Sequence, residues 1–372
     1  MTIIVAFLCI GAVYLLQSFI YSIYWDKNLK VELQFQTYDL VEGEKNLLKE
    51  VITNAKRIPL PILHVKFRTS RTFLFDQEEN SAVSDYYYRD DVFAIGGKQI
   101  VTRHLAFLCS KRGCYIINDA CMIASDLLLN KIMYSPIPTD TLFYVYPKKL
   151  DMSEFEIPYQ SITGQYLSKV KLLEDPFEFR GIRKYEPYDS IKSINWKSSA
   201  RNNTLLVNTF YPTSSKEIRM ILNLDKQTLA TDDEVIETAI RIASTLAGRL
   251  LSDHLPLSLE TNAFDLYTNT RISIGTGSGN RHITAIDRCL ARIDLTKKPS
   301  DFKKLLVNIL SDHQTDHIYY FIISNYRKPD LLTIYSHLKE NRVPCCLIIP
   351  ESKTAEPVEL SQDDMYAWEV SE

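Results

Sequence analysis

The sequence predicts a mixed fold in three parts: a transmembrane helix, a β-sandwich and an α/β domain. Three observations predict it. The first is an uncharged apolar run, Ile3 to Tyr24, of ~22 residues, where ~20 span a bilayer. The second is a series of short alternating segments between Lys30 and Asp151. The third is an alternation of apolar runs and amphipathic helices after Lys216, which implies a parallel sheet with helices on both faces. The boundaries read as 1–28 (anchor), 29–151 (β-domain), 152–215 (linker and signature segment) and 216–372 (α/β domain).

The apolar run is interrupted only by Gln17, Ser18 and Ser22, with Tyr14, Tyr21, Tyr24 and Trp25 as interfacial aromatics. A cleaved signal peptide is the competing reading. It needs a basic leader and a small-residue cleavage site, and here the leader is Met1-Thr2 and the end is Tyr24-Trp25. A retained single-pass anchor is therefore expected. Lys27 and Lys30 follow the run and no basic residue precedes it, which places the bulk of the chain in the cytoplasm.

In the second part, Val31 to Phe35, Leu47 to Asn54 and Ile62 to Phe67 read as strands, and Pro59 and Pro61 exclude a helix between the last two. Lys98 to Cys109, Tyr115 to Ala124 and Thr141 to Tyr146 are further strands, giving an Ig-like sandwich. Asp76 to Asp91 reads as a long polar loop, with Tyr86-Tyr87-Tyr88 packing onto the sandwich. Glu42-Gly43-Glu44 and Lys111-Arg112-Gly113 read as turns, the second with solvated charges and a glycine at positive φ. Leu150 to Gln165 reads as a linker.

The densest stretch is Gly181 to Arg201. Pro187-Tyr188-Asp189 reads as a turn with Asp189 as N-cap of a helix, Ser190 to Ser199. Ile191 and Ile194 share a face of that helix, and Trp196, off the stripe, covers the edge of a neighbouring core. Asn202-Asn203 then turns the chain into a strand, Leu205 to Tyr211. Arg180, Arg183, Lys184, Lys192, Lys197 and Arg201 stand against Glu186 and Asp189. Two readings follow. Arg183, Asp189, Lys197 and Arg201 form an anion or acidic-partner site, or even an enzyme's phosphate- or carboxylate-handling cluster. Alternatively Arg183 and Arg201 pair with Asp189 and Glu186 and brace the loop. A third possibility makes the segment a staple, with Trp196 buried between domains.

In the last part, Ile218 to Leu224 is a strand, and Thr231 to Glu234 is a capping box opening a long amphipathic helix. Leu255 to Glu260, Thr270 to Ile274, Ile318 to Ser324 and Val343 to Ile349 are strands. His282 to Ile293, Asp301 to Ser311 and Leu331 to Glu340 are helices. Gly275-Thr276-Gly277-Ser278-Gly279 lacks the lysine of a P-loop and reads as a flexible turn.

Function classes narrow by exclusion. The net charge of −3 argues against nucleic-acid binding. The 7 cysteines show no metal-ligand spacing and read as thiols in a reducing compartment. His64, His104, His254, His282, His313, His317 and His337 are scattered, and no GxSxG or HExxH motif is present. No catalytic residues and no cofactor are expected.

The central stretch resembles the signature of the domain of unknown function 58 family. That pattern runs Gly, aliphatic, Arg, any, Tyr, any, Pro, Gly, Asp, then Ile-Asp-Trp-Lys and a closing Ser/Thr-Ala-Arg. The chain supplies Gly181, Ile182, Arg183, Tyr185, Pro187, Asp189, Ile194, Trp196, Lys197, Ser199, Ala200 and Arg201. It departs at Tyr188, where the family has Gly, and at Asn195, where it has Asp. Lys111-Arg112-Gly113-Cys114-Tyr115, Asp126-Leu127 and Val145-Tyr146-Pro147 fall where such proteins carry short motifs. The resemblance implies that the last part is a Rossmann-like von Willebrand factor A-like domain. Such domains hold a divalent cation through Asp-x-Ser-x-Ser, and the matching positions here are Asp225, Gln227 and Leu229, so only one ligand remains. It also implies a partner, a MoxR-type AAA+ ATPase, alongside other membrane proteins, in envelope protein maturation.

Overall fold

The computed structural model describes residues 2–76, 81–84, 86–139, 141–153, 155–171, 174–187, 189–212, 217–226, 232–311, 318–325, 329–351 and 365–369. The chain divides into two compact units, Met1–Lys148 and Lys149–Glu372.

The first unit opens with helix α1 (Thr2–Tyr24). One face of it is apolar and open. The other carries Tyr14, Gln17, Ser18 and Tyr21 at helical spacing, and Tyr21 and the following Trp25 are buried in the core of the unit. The strands are β1 (Leu29–Phe35), β2 (Asp39–Val41), β3 (Lys45–Asn54), β4 (Leu60–Thr69), β5 (Phe73–Phe75) and β6 (Ser81–Val83). They continue with β7 (Tyr87–Ile95), β8 (Gln99–Cys109), β9 (Gly113–Tyr115), β10 (Asn118–Ser125), β11 (Ile132–Pro136) and β12 (Phe143–Tyr146). They form a four-stranded sheet (β1-β3-β8-β5), a five-stranded sheet (β11-β10-β4-β7-β6) and a three-stranded sheet (β2-β12-β9).

Burial alternates along the strands, so each sheet turns one face inward. Leu48 and Phe107 of one large sheet share an apolar core with Val65 and Phe93 of the other. That is a β-sandwich. Ring pairs such as Phe35–Phe143 at 4.3 Å and Phe73–Phe107 at 4.9 Å fill its middle.

Two expectations for this unit are corrected. Asp76 to Asp91 is not one long loop. It holds β6 and the start of β7, with Tyr87 buried and stacked on Phe75 at 4.8 Å. Arg89 and Asp91 on β7 break the apolar alternation, yet both point into the core. Arg89 Nε donates to Asp91 at 2.5 Å and Arg103 of β8 donates to Asp91 at 2.8 Å. Glu50 of β3 joins them, fully buried. The second correction concerns Lys111-Arg112-Gly113. Arg112 is buried rather than solvated, and Gly113 does not sit at positive φ. A Cβ there would stand 2.7 Å from the Tyr115 ring, so the glycine serves close approach.

The second unit begins at Lys149, whose ammonium donates to Asp287 at 2.9 Å and to Ser244 Oγ at 2.6 Å. The expected linker holds α2 (Glu156–Lys171). Phe155, at its start, stacks on Trp368 at 4.3 Å. The hairpin β13 (Glu174–Lys184) and β14 (Leu206–Pro212), with helix α3 (Trp196–Asn202) between them, comes next. Then follow β15 (Glu217–Asn223), α4 (Asp232–Ser252), β16 (Leu257–Asp265), β17 (Arg271–Gly277), α5 (Asn280–Ala291) and β18 (Ile293–Asp294). The last elements are α6 (Phe302–Ser311), β19 (Ile318–Ser324), α7 (Pro329–Glu340), β20 (Cys345–Glu351) and β21 (Met365–Glu369).

The strand order is β17-β16-β15-β19-β20-β21, parallel except for the antiparallel edge strand β17. Met220 and Phe321 pack with α4 on one face, while Ile221 and Tyr320 pack with α6 and α7 on the other. Burial on both faces explains why β19 is one continuous apolar run rather than an alternating strand. Thr231 of the expected capping box lies outside the described residues. Gly275 to Gly277 is not a flexible turn but the end of β17. There a Cβ on Gly277 would stand 2.4 Å from the His282 ring.

Candidate functional site

The hairpin β13–β14 carries every residue of the signature. Apart from a bridge between Ile194 and Val207, its strands pair only with each other among the described residues. A lone two-stranded ribbon is marginal in water and needs local fastening. Asn195 supplies much of it. Its Oδ1 accepts from Ser198 N at 2.9 Å, capping α3, and its Nδ2 donates to Asn208 Oδ1 at 2.7 Å on β14. Its backbone amide donates to Leu206 O at 2.8 Å. Ser199 donates to Asn195 O at 2.8 Å and accepts from Leu206 N at 2.9 Å. Ile194 is buried and bridges Val207. Asn203 closes the helix at φ 50°, a left-handed conformation that asparagine tolerates.

Arg183, near the end of β13, grips Asp189 with both terminal nitrogens, one hydrogen bond at 2.6 Å, and donates to Lys184 O at 3.1 Å. Asp189 also accepts from the Glu186 amide at 2.9 Å. Arg183 first, then that amide, holds its carboxyl below the usual carboxylate range. Asp189 is thus not the helix N-cap. Ser190 caps a 3₁₀ turn (Ile191–Ser193), and Asn195 caps α3. Tyr185 is half-buried, with its amide donating to Leu205 O at 2.9 Å. A Cβ on Gly181 would meet Thr209 Oγ1 at 3.8 Å, an ordinary contact; Pro187 is exposed at the turn, next to Tyr188, which lies outside the described residues.

The structure joins Arg183 to Asp189 but leaves the rest of the expected cluster apart. Lys197, Ala200 and Arg201 are exposed on α3, and no ion pair links Arg201 to Glu186 among the described residues. Trp196 covers no core. It is 64% exposed, and Ile191 at 68%, Ile182 and Leu205 are open as well. The same hairpin thus exposes apolar side chains and the basic Lys192, Lys197 and Arg201.

A second polar cluster was not foreseen. It lies at the carboxyl ends of β15, β16 and β19, flanking the place where strand order reverses, which is where ligand crevices form in open α/β sheets. Asn262 Nδ2 lies 3.0 Å from both Asn223 Oδ1 and Asp225 Oδ1, and Asn262 Oδ1 accepts from Leu224 N at 2.9 Å. Asn223 donates to Ser324 Oγ at 2.9 Å. The only sequence signal was a polar residue ending or interrupting a buried apolar strand. Asp225 also borders a cavity of about 110 Å³ with Asp301 and Lys303, smaller than the ~300 Å³ at which small-molecule pockets begin.

These residues do not suit a divalent cation. An amide N–H of Asn262 is aimed at Asp225, where a hard cation would want oxygens, and no cluster of three or more His, Cys, Asp or Glu exists among the described residues. Gln227 and Leu229 lie outside them.

No family model matches this chain, and no curated protein matches it. Solved structures overlay parts of it. The alkylpurine DNA glycosylase AlkC of Pseudomonas fluorescens, bound to DNA, aligns at 10% identity over 32% of this chain and 30% of its own, with a TM-score of 0.19. A non-cellulosomal cohesin from Archaeoglobus fulgidus aligns at 11% identity over 35% of this chain and 98% of its own, with a TM-score of 0.20. A type I cohesin–dockerin complex from Clostridium thermocellum aligns at 11% identity over 31% and 97%, with a TM-score of 0.22. At such TM-scores these likenesses say nothing further about this chain.

Proposed function

We propose that the chain is a membrane-anchored interaction factor, with the β13–β14 hairpin as the docking element for a MoxR-type AAA+ ATPase in envelope protein maturation. The observation that carries this reading is the exposure of Trp196, Ile191, Ile182 and Leu205 among basic residues on a locally fastened hairpin. Exposed aromatic anchors with a basic surround are the composition of protein-binding hot spots. Arg183 is already engaged by Asp189, which favours a brace over an open anion site.

Helix α1 supports the anchor. Its run Ile3–Tyr24 is long and apolar enough to cross a bilayer. Lys27 and Lys30 at its end favour a cytoplasmic location for the rest. The strand order of the second unit, numbered within its sheet as 3-2-1-4-5-6, supports the von Willebrand factor A-like reading. Affinity purification of the full chain from membranes, with ATP or ADP, tests the partnership. Failure to recover such an ATPase in either nucleotide state would overturn it.

A further inference from the structure

The β10–β11 turn joins two strands of the sandwich, and its tip is Leu127-Leu128-Leu129. All three leucines are exposed, as are Ile132 and Tyr134 on the edge strand β11. Turns that face water are built from Gly, Asn, Asp or Ser. Here Leu129 takes φ 58°, a conformation that glycine or asparagine would adopt more cheaply.

The turn is fastened to helix α1. Gln17 Nε2 donates to Asp126 Oδ2 at 2.9 Å, Asn130 donates to the Tyr14 hydroxyl, and Lys131 Nζ donates to Ser22 Oγ at 3.0 Å. Tyr14, Gln17 and Ser22 all lie within the apolar run Ile3–Tyr24. At 1.5 Å per residue, Gln17 stands about 10 Å and Tyr14 about 15 Å along the helix from Tyr24. Tyr21 lies in the sandwich core, so a bilayer that covers the run as far as Gln17 already reaches the turn.

Four of the turn's backbone amides are satisfied within it. The amides of Asn130 and Lys131 donate to Asp126 Oδ1 at 2.7 and 3.2 Å. Leu129 N donates to Asp126 O at 3.0 Å, and Asp126 N donates to Lys131 O at 3.1 Å. Non-helical backbone survives in hydrocarbon only when its donors are satisfied internally. Lys131 and Tyr134 supply the cationic and aromatic groups that settle at a membrane interface.

We infer that the Asp126–Lys131 turn enters the same bilayer as helix α1, with Leu127, Leu128 and Leu129 among the acyl chains, so that the sandwich is held to the membrane at two points. This rests on the membrane-anchor reading of α1. It gives the β-domain a fixed height and tilt at the surface, which a single flexible span would not.

The test uses the full chain in phosphatidylcholine–phosphatidylglycerol vesicles, with the half-buried Cys121 and Cys289 replaced by serine. A nitroxide is placed at Cys9 in the span, at Leu128→Cys, or at Val83→Cys, an exposed site on β6; the last two also carry Cys9→Ser. Leu127→Cys repeats the measurement should Leu128→Cys fold poorly. The readout is the ratio of collisions with oxygen to those with an aqueous nickel chelate. The expected ratio at Leu128 is several-fold above that at Val83 and approaches that at Cys9. A ratio at Leu128 equal to that at Val83, with Cys9 in hydrocarbon, overturns the inference and leaves the anchor standing. An aqueous ratio at Cys9 overturns both.

Discussion

Asn195 and Asn208 meet across the hairpin at 2.7 Å, while the same Asn195 side chain caps α3 through Ser198. One amide thus serves as cap acceptor and cross-hairpin donor. Asn195→Ala removes both, at a local cost of about 1 kcal/mol from the cap alone. Asn195→Asp keeps the cap, and Asn208 can rotate its amide to donate to the new carboxylate. The aspartate variant should therefore protect the α3 amides from hydrogen exchange nearly as well as the native chain, and the alanine variant should not. Equal protection in all three would contradict the capping account.

Arg183 and Asp189 make a pairing of limited reach. Asp189 has its carboxyl lowered, so the bond is complete above the ordinary carboxylate range and is lost as pH falls through the lowered value. Arg183→Ala should leave the global unfolding midpoint in place, since exposed ion pairs contribute little. It should speed proteolysis between Lys184 and Asn195. Unchanged cleavage there would show that the pair does not brace the loop.

Glu50 sets a pH dependence of the sandwich. Burial pushes its carboxyl up from 4.5 to about 8, with the charge of Asp91 adding to the rise and Arg103 and Arg89 opposing it. Between those values the folded chain holds a proton that the unfolded chain has released. Stability therefore falls as pH rises from about 4.5 to about 8 and levels off above. Glu50→Gln should remove this slope and raise Tm at pH above 8, by roughly 2–4 °C per kcal/mol recovered. Thermal melts across that range check it, and a slope that persists in the variant would contradict it.

Asn262 ties the carboxyl ends of β15 and β16 together, and Asn223 extends the network to Ser324 of β19. Asn262→Ala leaves the buried Leu224 amide without its acceptor and the Asn223 and Asp225 oxygens without this donor. The orphaned Leu224 amide costs about 1–3 kcal/mol. Urea unfolding should show a lower midpoint with an unchanged m-value; an unchanged midpoint would mean the network is idle.

Several elements were legible because one physical signal dominated them. The uncharged run of α1, the alternation in β1 and β3, and the helical spacing of α4 each match their element. β7 was hidden because Arg89 and Asp91 satisfy one another inside the core, and residue types alone read them as surface. Trp196 was assigned to a core because large aromatics are usually buried, and only its position on the outside of α3 shows otherwise. Asp189 fits an N-cap by type and spacing, but pairing with Arg183 across six residues is not a local pattern. Asn223, Asn262 and Ser324 come together only once the parallel sheet sets three distant strand ends side by side.

The central claim is that Trp196 is a docking anchor and not part of a core. The direct measurement is binding of a purified MoxR-type ATPase to the full chain in detergent, with ATP, for the native protein and Trp196→Ala. Losing a hot-spot tryptophan should weaken binding at least ~10-fold. Tm should move little, as for other exposed substitutions, within about 0.5 kcal/mol. Equal binding by both proteins, or a variant whose Tm collapses, would contradict the account.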